Sequence, residues 1–206
     1  MKHHSEIREL LIGNAIRLVA EGGFEKATTK ELAHCSGTLP DLKMNEAYIY
    51  RIFGSKEELF RSVFISLDDE LIYSFSIATE MIGGFETCSK EKLLKFFEMT
   101  WKFLMHNEEK CRYYVRFYYS VYFKGTALLS HRTHMAGIIS ELSCLFKEEA
   151  DVHSILHSVF TTILDFAIRV YNGELEDNDI NRPHIFNVLY CMMSTYFKTE
   201  DLASNS

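Results

Sequence analysis

The chain has 206 residues, of which 47% are hydrophobic and 14% aromatic, and its net charge is −7 with histidines neutral. This length and composition predict a globular protein of two parts with a sizeable core. No apolar run reaches the roughly 20 uncharged residues that a membrane-spanning helix needs, and the N-terminus lacks the apolar region of a signal peptide.

Proline and cysteine usage adds two expectations. The only two prolines, Pro40 and Pro183, suit a mostly helical chain, because proline breaks helix interiors. The cysteines are odd in number, dispersed and without a C-x-x-C spacing, which favours reduced thiols in a cytoplasmic protein. They are Cys35, Cys88, Cys111, Cys144 and Cys191.

The first predicted helix ends at a glycine pair. Gly22 and Gly23 favour a stop, because glycine accepts the left-handed conformation that closes many helices. Before them, apolar residues recur at the spacing of one buried helix face: Ile12, Ala15, Ile16 and Val19.

Two short helices and a long one follow. Thr28 and Glu31 form a capping box, which starts a helix from Thr29 to about Ser36 with Leu32 and Ala33 inward. Asn45 is a good N-cap for a third helix that ends at Gly54. Its inward face is predicted to hold Ala47, Ile49, Tyr50 and Phe53. A second capping box begins at Ser55 and opens a long helix that we expect to end near Gly83 and Gly84.

Three short helices followed by a long one are typical of a helix-turn-helix module that binds DNA. The block resembles the N-terminal domain of the TetR family of bacterial transcriptional regulators, over about a quarter of the chain. The matching residues are Ala15, Leu18, Gly23-Phe24, Thr28-Thr29, Leu32-Ala33, Gly37, Ile49-Tyr50, Phe53, Ser55-Lys56-Glu57 and Leu59.

The resemblance implies an all-α homodimer. Residues 1–55 are then the helix-turn-helix DNA-binding domain, and residues 56–206 form a helical domain for effector binding and dimerisation. The sequence departs from the family pattern in two places. Residues 38–43 look like an insertion in the turn before the third helix, and Ile52 stands where the family commonly has histidine or another polar aromatic residue.

The DNA contacts are predicted at the third helix and its surroundings. A recognition helix presents its first residues to base edges, where Asn45 suits adenine and Glu46 suits cytosine, unless Glu46 only favours the helix dipole. Tyr50 either touches the DNA backbone or packs against the first helix. The inserted loop is either a surface bulge or gives Lys43 a phosphate contact. The full predicted set is Thr29, Lys30, Lys43, Asn45, Glu46, Tyr48, Tyr50, Arg51 and Lys56.

Charge argues mildly against DNA binding. Residues 1–60 hold eight Lys and Arg side chains and nine Asp and Glu side chains, a net charge of −1. A protein that binds duplex DNA normally carries a basic face. Four of the cations nevertheless flank the third helix, so we expect binding that depends on few phosphate contacts. These cations are Lys30, Lys43, Arg51 and Lys56.

The second part of the chain is rich in aromatic residues. Seven aromatic residues fall within the 13-residue run CRYYVRFYYSVYF, more than one helix face needs. They either line an apolar cavity for an apolar or aromatic effector or form a dense core. TetR-like proteins bind their effectors in this bundle, which favours the cavity. The predicted effector contacts are Trp101, Met105, Tyr113, Phe117 and Tyr118.

The last two predicted helices, 152–171 and 183–197, are apolar on more than one face and are expected to form the dimer interface.

His and Cys spacing predicts no metal site, and no motif indicates a cofactor or an enzyme. The expected function is an effector-responsive regulator, a repressor, that binds a palindromic operator as a dimer. Two alternatives stay open, a binding protein of this fold with weak DNA binding and an all-α enzyme with a hydrophobic substrate.

Overall fold

A computed structural model describes residues 2–34, 45–86 and 89–198. These residues form nine α-helices and no β-strand, which confirms the all-α prediction. The helices are α1 Lys2–Gly22, α2 Thr29–Ala33, α3 Ala47–Phe53, α4 Lys56–Met81, α5 Lys90–His106, α6 Glu108–Tyr118, α7 Thr126–Leu142, α8 Val152–Tyr171 and α9 Asn181–Ser194.

The chain divides into two compact units. The first comprises residues 1–70 and 109–131, and the second comprises residues 71–108 and 132–206. Helix α4 therefore contributes to both units, and so does α7. The predicted boundary between a DNA-binding domain, residues 1–55, and an effector-binding domain, residues 56–206, stays a prediction.

Local capping fixes the helix starts in the first unit. Thr28 Oγ1 accepts a hydrogen bond from the backbone N–H of Glu31 at 3.2 Å, and Ser55 Oγ accepts one from Glu58 at 3.1 Å. Gly23 ends α1 at a φ of 79°, a left-handed conformation that favours glycine. The predicted glycine stop is thus present, and at both predicted capping boxes the hydroxyl of the N-cap residue accepts the expected backbone hydrogen bond.

An aromatic cluster forms the core of the first unit. Phe24 packs with ring centroids 5.0 Å from Phe60 and 6.1 Å from Tyr113. Tyr113 is fully buried and donates a hydrogen bond from its hydroxyl to the carbonyl of Phe60 at 2.8 Å. Burial raises the pKa of Tyr113 well above its usual value. Phe117, also fully buried, stacks on Phe64 at 4.7 Å. The aromatic run of α6 therefore closes the core over α4.

Three polar side chains satisfy one another beside this cluster. The Tyr114 hydroxyl donates to Asp68 Oδ1 at 2.7 Å, and His131 Nδ1 lies 3.1 Å from the same oxygen. All three residues are buried. Burial and, next, the negative charge of Asp68 raise the pKa of Tyr114 well above its usual value.

The second unit is a bundle in which α8 packs on α9 and on α5. Ser89 starts α5 by accepting a hydrogen bond from the backbone of Lys92 at 3.3 Å, and Asp151 caps α8 in the same way through Ser154 at 3.1 Å. One side of α5 is buried along its length. Its buried residues are Leu93, Phe97, Thr100, Trp101 and Leu104.

The buried triad gives a stability prediction. Tyr114→Phe removes the donor that Asp68 accepts and leaves a buried carboxylate with one partner fewer, so the free energy of unfolding should fall by about 1–3 kcal/mol. Tyr119→Phe is the matched control, because Tyr119 is 71% exposed. Urea unfolding of the two variants measures the difference. Equal stability of both would show that the Tyr114 hydroxyl does not support the core.

Candidate nucleic-acid interface and apolar cavity

Helix α3 is anchored by one face and exposed on the other. Ile49 is fully buried, and α3 contacts both α1 and α2. Arg8 of α1 lies over the Phe53 ring, 5.6 Å from its centroid. The opposite side faces solvent, with Tyr50 54% exposed and Arg51 also exposed. A short helix held this way presents a fixed outer surface.

The start of α3 is joined to the start of α2. The Thr29 hydroxyl donates a hydrogen bond to the carboxylate of Glu46, which precedes α3. Asn45 Oδ1 accepts a hydrogen bond from the backbone N–H of Ala47 at 3.0 Å, which agrees with its predicted capping role. Both Asn45 and Glu46 remain exposed at the surface. The first turn of α3 is therefore ordered by side chains that were predicted to meet DNA.

An aromatic ring supports the arginine of α3. The guanidinium carbon of Arg51 lies 4.4 Å from the centroid of the Tyr48 ring. A guanidinium stacked on a ring keeps its N–H groups directed sideways, where they can form paired hydrogen bonds. The ring also restricts the conformations of a long, flexible side chain.

The other predicted DNA contacts lie around this surface. Lys30 is exposed on α2, and Lys56 is half-buried at the start of α4, with its Nζ 5.8 Å from the Phe60 ring centroid. The structure therefore brings together Thr29 at the start of α2, Asn45, Glu46 and Tyr48 at the start of α3, and Arg51 in the last turn of α3. Lys43 and the predicted insertion 38–43 lie outside the described residues.

The second unit contains an apolar cavity of about 120 Å³. Its wall comes from α4, α5, α7, α8 and α9, from the segment between α4 and α5, and from the segment between α7 and α8. The lining includes seven phenylalanines, and the remaining residues are aliphatic or Met except for one threonine. The phenylalanines are Phe75, Phe85, Phe96, Phe97, Phe146, Phe160 and Phe186.

The one polar lining residue is Thr100. It lies in the middle of α5 and is 5% exposed. Its Oγ1 has no hydrogen-bond partner among the described residues. Buried hydroxyl groups are normally paired, so this group stands out within the cavity wall.

The five residues predicted to contact an effector lie elsewhere. Tyr113 and Phe117 belong to the aromatic core of the first unit, as described above, and Tyr118 is half-buried beside them, 4.7 Å from the Phe123 ring. Trp101 stacks on Phe97 at 5.8 Å, behind the cavity wall. None of the five, all within the described ranges, lines the cavity. Their effector role stays a prediction that this geometry does not favour.

One sequence signal could have indicated the cavity. Leu93, Phe97, Thr100 and Leu104 follow the spacing of one helix face, so Thr100 is a hydroxyl on an otherwise apolar stripe. The phenylalanines from five other segments carried no comparable signal, because only the tertiary packing brings them together.

Other kinds of site find no support in the described ranges. No group of three His, Cys, Asp or Glu side chains in residues 2–34, 45–86 and 89–198 is arranged to hold a metal ion. Over the same part of the chain, no helix combines the length and apolar character that crossing a membrane requires.

The fold and the exposed α3 define a helix-turn-helix protein with a second helical unit. Residues 11–63 match the family model described as bacterial regulatory proteins, tetR family. The predicted resemblance to the TetR family is therefore confirmed, and the match covers the segment that contains α2 and α3. No curated protein sequence matches the chain.

Several solved structures share the fold over nearly the whole chain. A TetR family transcription regulator from Marinobacter aquaeolei VT8 has a TM-score of 0.73 and 18% identity, covering 93% of this chain and 98% of that one. A putative tetR family regulator from Shewanella sp. PV-4 has a TM-score of 0.69, 13% identity and the same coverage. The fatty acid degradation regulator FadR from Bacillus halodurans has a TM-score of 0.61 and 17% identity, covering 88% and 93%. These similarities establish a common fold.

Proposed function

We propose that the protein is an effector-responsive transcriptional regulator that binds a palindromic DNA operator as a homodimer and acts as a repressor. The observation that carries the proposal is the outer surface of α3. It holds an ordered first turn and an arginine supported by Tyr48, on a domain that matches the tetR family.

The side chains of α3 suit the major groove. A recognition helix approaches base edges with its N-terminal residues, where Asn45 carries an amide that can pair with adenine. The sideways N–H groups of Arg51 match the O6 and N7 acceptors of guanine. Thr29 and Lys30 at the start of α2, Tyr50 on α3 and Lys56 at the start of α4 are proposed to contact phosphates, together with Lys43. Glu46 holds Thr29 in place and is the acceptor for a cytosine amino group.

The apolar cavity of the second unit is the proposed effector site. Phe75, a residue of α4, forms part of its wall, while Phe60 and Phe64 of the same helix are fully buried in the first unit. An effector that binds one position of α4 more tightly than another shifts the equilibrium between the two. In the repressor mechanism, the position of α4 that the effector favours is the one in which the protein binds its operator less tightly.

The dimer is proposed to form through α8 and α9. These helices pack on each other and still leave apolar residues at the surface. Val188, Cys191 and Met192 share one face of α9 by helical spacing, and Val188 is 44% exposed. An apolar face of this kind is typical of a contact with a second copy.

A second candidate function is a ligand-binding protein of the same fold with weak DNA binding. The net charge of −1 over residues 1–60 favours it. A mobility-shift assay on the promoter region of the protein's own gene separates the two candidates. Specific retardation supports the regulator, and equal retardation of unrelated DNA supports the alternative.

The α3 surface gives the main test. Arg51→Ala should weaken binding of the dimer to a DNA site selected from a random pool by about 2–6 kcal/mol, because each of the two protomers loses a paired contact with a base that is worth about 1–3 kcal/mol. Tyr48→Ala should cause a smaller loss, because Arg51 keeps its charge and loses only its support. Titration by fluorescence anisotropy measures both affinities.

Arg112→Ala serves as the control that removes one positive charge from a different helix, α6. It should leave the affinity for the selected site nearly unchanged. If Arg51→Ala matches this control, α3 does not read the bases and the placement of the recognition surface is wrong.

Few ionic contacts predict a weak dependence on salt. The lysines Lys30, Lys43 and Lys56 give about six phosphate contacts per dimer, and the slope of log K against log salt concentration should be about −5. Lys30→Gln removes one contact per protomer and should reduce the slope by about 2. Anisotropy titrations over a series of salt concentrations measure it. A wild-type slope near −10 would contradict the small set of contacts.

The interface gives a third test. Val188→Glu places two charges near each other in an apolar contact and should convert the dimer to monomers, as measured by sedimentation velocity. Leu129→Glu is the matched control, because Leu129 is 67% exposed on α7 and lies outside α8 and α9. If Leu129→Glu is a monomer and Val188→Glu remains a dimer, the interface lies outside α8 and α9.

A further inference from the structure

The chemistry of the cavity wall restricts what can bind. Every described lining residue except Thr100 has an apolar side chain. A charged ligand would lose its hydration there without gaining an opposite charge, which strongly disfavours binding. The occupant should therefore be neutral over most of its surface.

Charged groups line a second pocket beside the cavity. That pocket shares only Phe97 and Phe186 with the apolar cavity, and its charges are balanced, two positive and two negative. Arg182, one of the positive groups, already pairs with Asp177 at 2.7 Å and Asp179 at 3.3 Å. It does not provide a spare cation for an anionic ligand group.

Thr100 requires one hydrogen bond from a ligand. In helices, a threonine hydroxyl usually bonds to a carbonyl of the preceding turn or faces solvent. Thr100 Oγ1 does neither among the described residues, since it is buried in the cavity wall with no partner. A ligand oxygen at this position would pair with the hydroxyl, while the rest of the ligand meets apolar carbon.

The size of the cavity limits the ligand to about one ring. Cavities of about 150 Å³ lined by apolar side chains are known to accept benzene, and this cavity measures about 120 Å³. Its phenylalanines offer both edges and faces, with Phe85 and Phe96 packed edge to face at 5.4 Å. Aromatic side chains arranged in this way favour an aromatic guest.

We propose that the cavity binds a small, uncharged, single-ring phenol whose hydroxyl forms a hydrogen bond with Thr100 Oγ1 while its ring packs among the surrounding phenylalanines. This inference rests on the proposed function of the cavity as the effector site. It adds the chemical class of the effector and the residue that selects it.

The chain contains an intrinsic fluorescent side chain next to the cavity. Trp101 is the single tryptophan, is 2% exposed and stacks on the cavity-lining Phe97. Its Nε1 donates a hydrogen bond to Asp177 at 3.0 Å, which holds the ring in place. Filling the cavity should therefore change the fluorescence of Trp101, alongside the heat that calorimetry detects.

The experiment compares three para-substituted toluenes on the full chain, of which the first two match in size. These are p-cresol, p-xylene, in which a methyl replaces the hydroxyl, and p-toluate, which carries a charge. Calorimetry should show that p-cresol binds about tenfold more tightly than p-xylene and that p-toluate does not bind.

Thr100→Val should remove the tenfold preference, because it weakens the binding of p-cresol and leaves the binding of p-xylene unchanged. Thr100→Ser should keep the preference. Val159→Phe fills the cavity from α8 and should abolish binding of both neutral probes.

A second readout needs no ligand. Thr100→Val replaces an unpaired hydroxyl by a methyl group of similar size, so the thermal midpoint of the free protein should rise. A lower midpoint would mean that the hydroxyl has a partner in the folded protein, and the inference would be overturned. The same holds if wild type binds p-cresol and p-xylene equally, if Thr100→Val leaves the preference intact or if p-toluate binds as well as p-cresol.

Failure of this inference is distinguishable from failure of the proposed function. If no probe binds while Arg51→Ala still impairs DNA binding, the phenol class is wrong and the regulator stands. If p-cresol binds through Thr100 but no DNA site is selected, the cavity chemistry is right and the DNA-binding function is wrong.

Discussion

Helix α4 completes two hydrophobic cores with one continuous backbone. Phe60, Val63 and Phe64 are fully buried in the first unit, while Phe75 lines the cavity of the second. The directions of the side chains along a helix are fixed relative to one another by its backbone. A change in how the α4 side chains pack in one unit therefore acts on the same helix backbone that carries side chains of the other unit. This shared helix is the physical basis on which the proposed effector control depends.

The parts of the fold that sequence could predict are those determined within a few residues. The caps at Thr28, Ser55 and Ser89 depend on side chains that reach backbone groups three residues away, and all three are formed. The burial of Leu32 and Ile49 follows from their spacing along a helix. Local sequence signals also indicated Thr29, Asn45 and Glu46, whose side chains form hydrogen bonds at the start of α3.

The lining of the cavity could not be predicted in the same way, because it depends on how distant segments pack. The aromatic run of α6 has enough rings to line a cavity, yet Tyr113 and Phe117 are fully buried against rings from α4. Phe146 and Phe160, in less aromatic segments, lie in the cavity wall. An aromatic residue contributes the same apolar area to a packed core and to a cavity wall, so composition does not distinguish the two.

The buried triad and Thr100 differ in one respect that composition also hides. Asp68 and His131 are buried together with Tyr114, and each has a partner within hydrogen-bond distance. Thr100 is as deeply buried, and its hydroxyl has none among the described residues. Polar groups in a core cost stability unless they are paired, and natural structures depart from this rule mainly at functional sites. The satisfied triad therefore belongs to the architecture of the first unit. The unsatisfied hydroxyl is the feature on which the proposed ligand site rests, because a molecule in the cavity would supply the missing hydrogen bond.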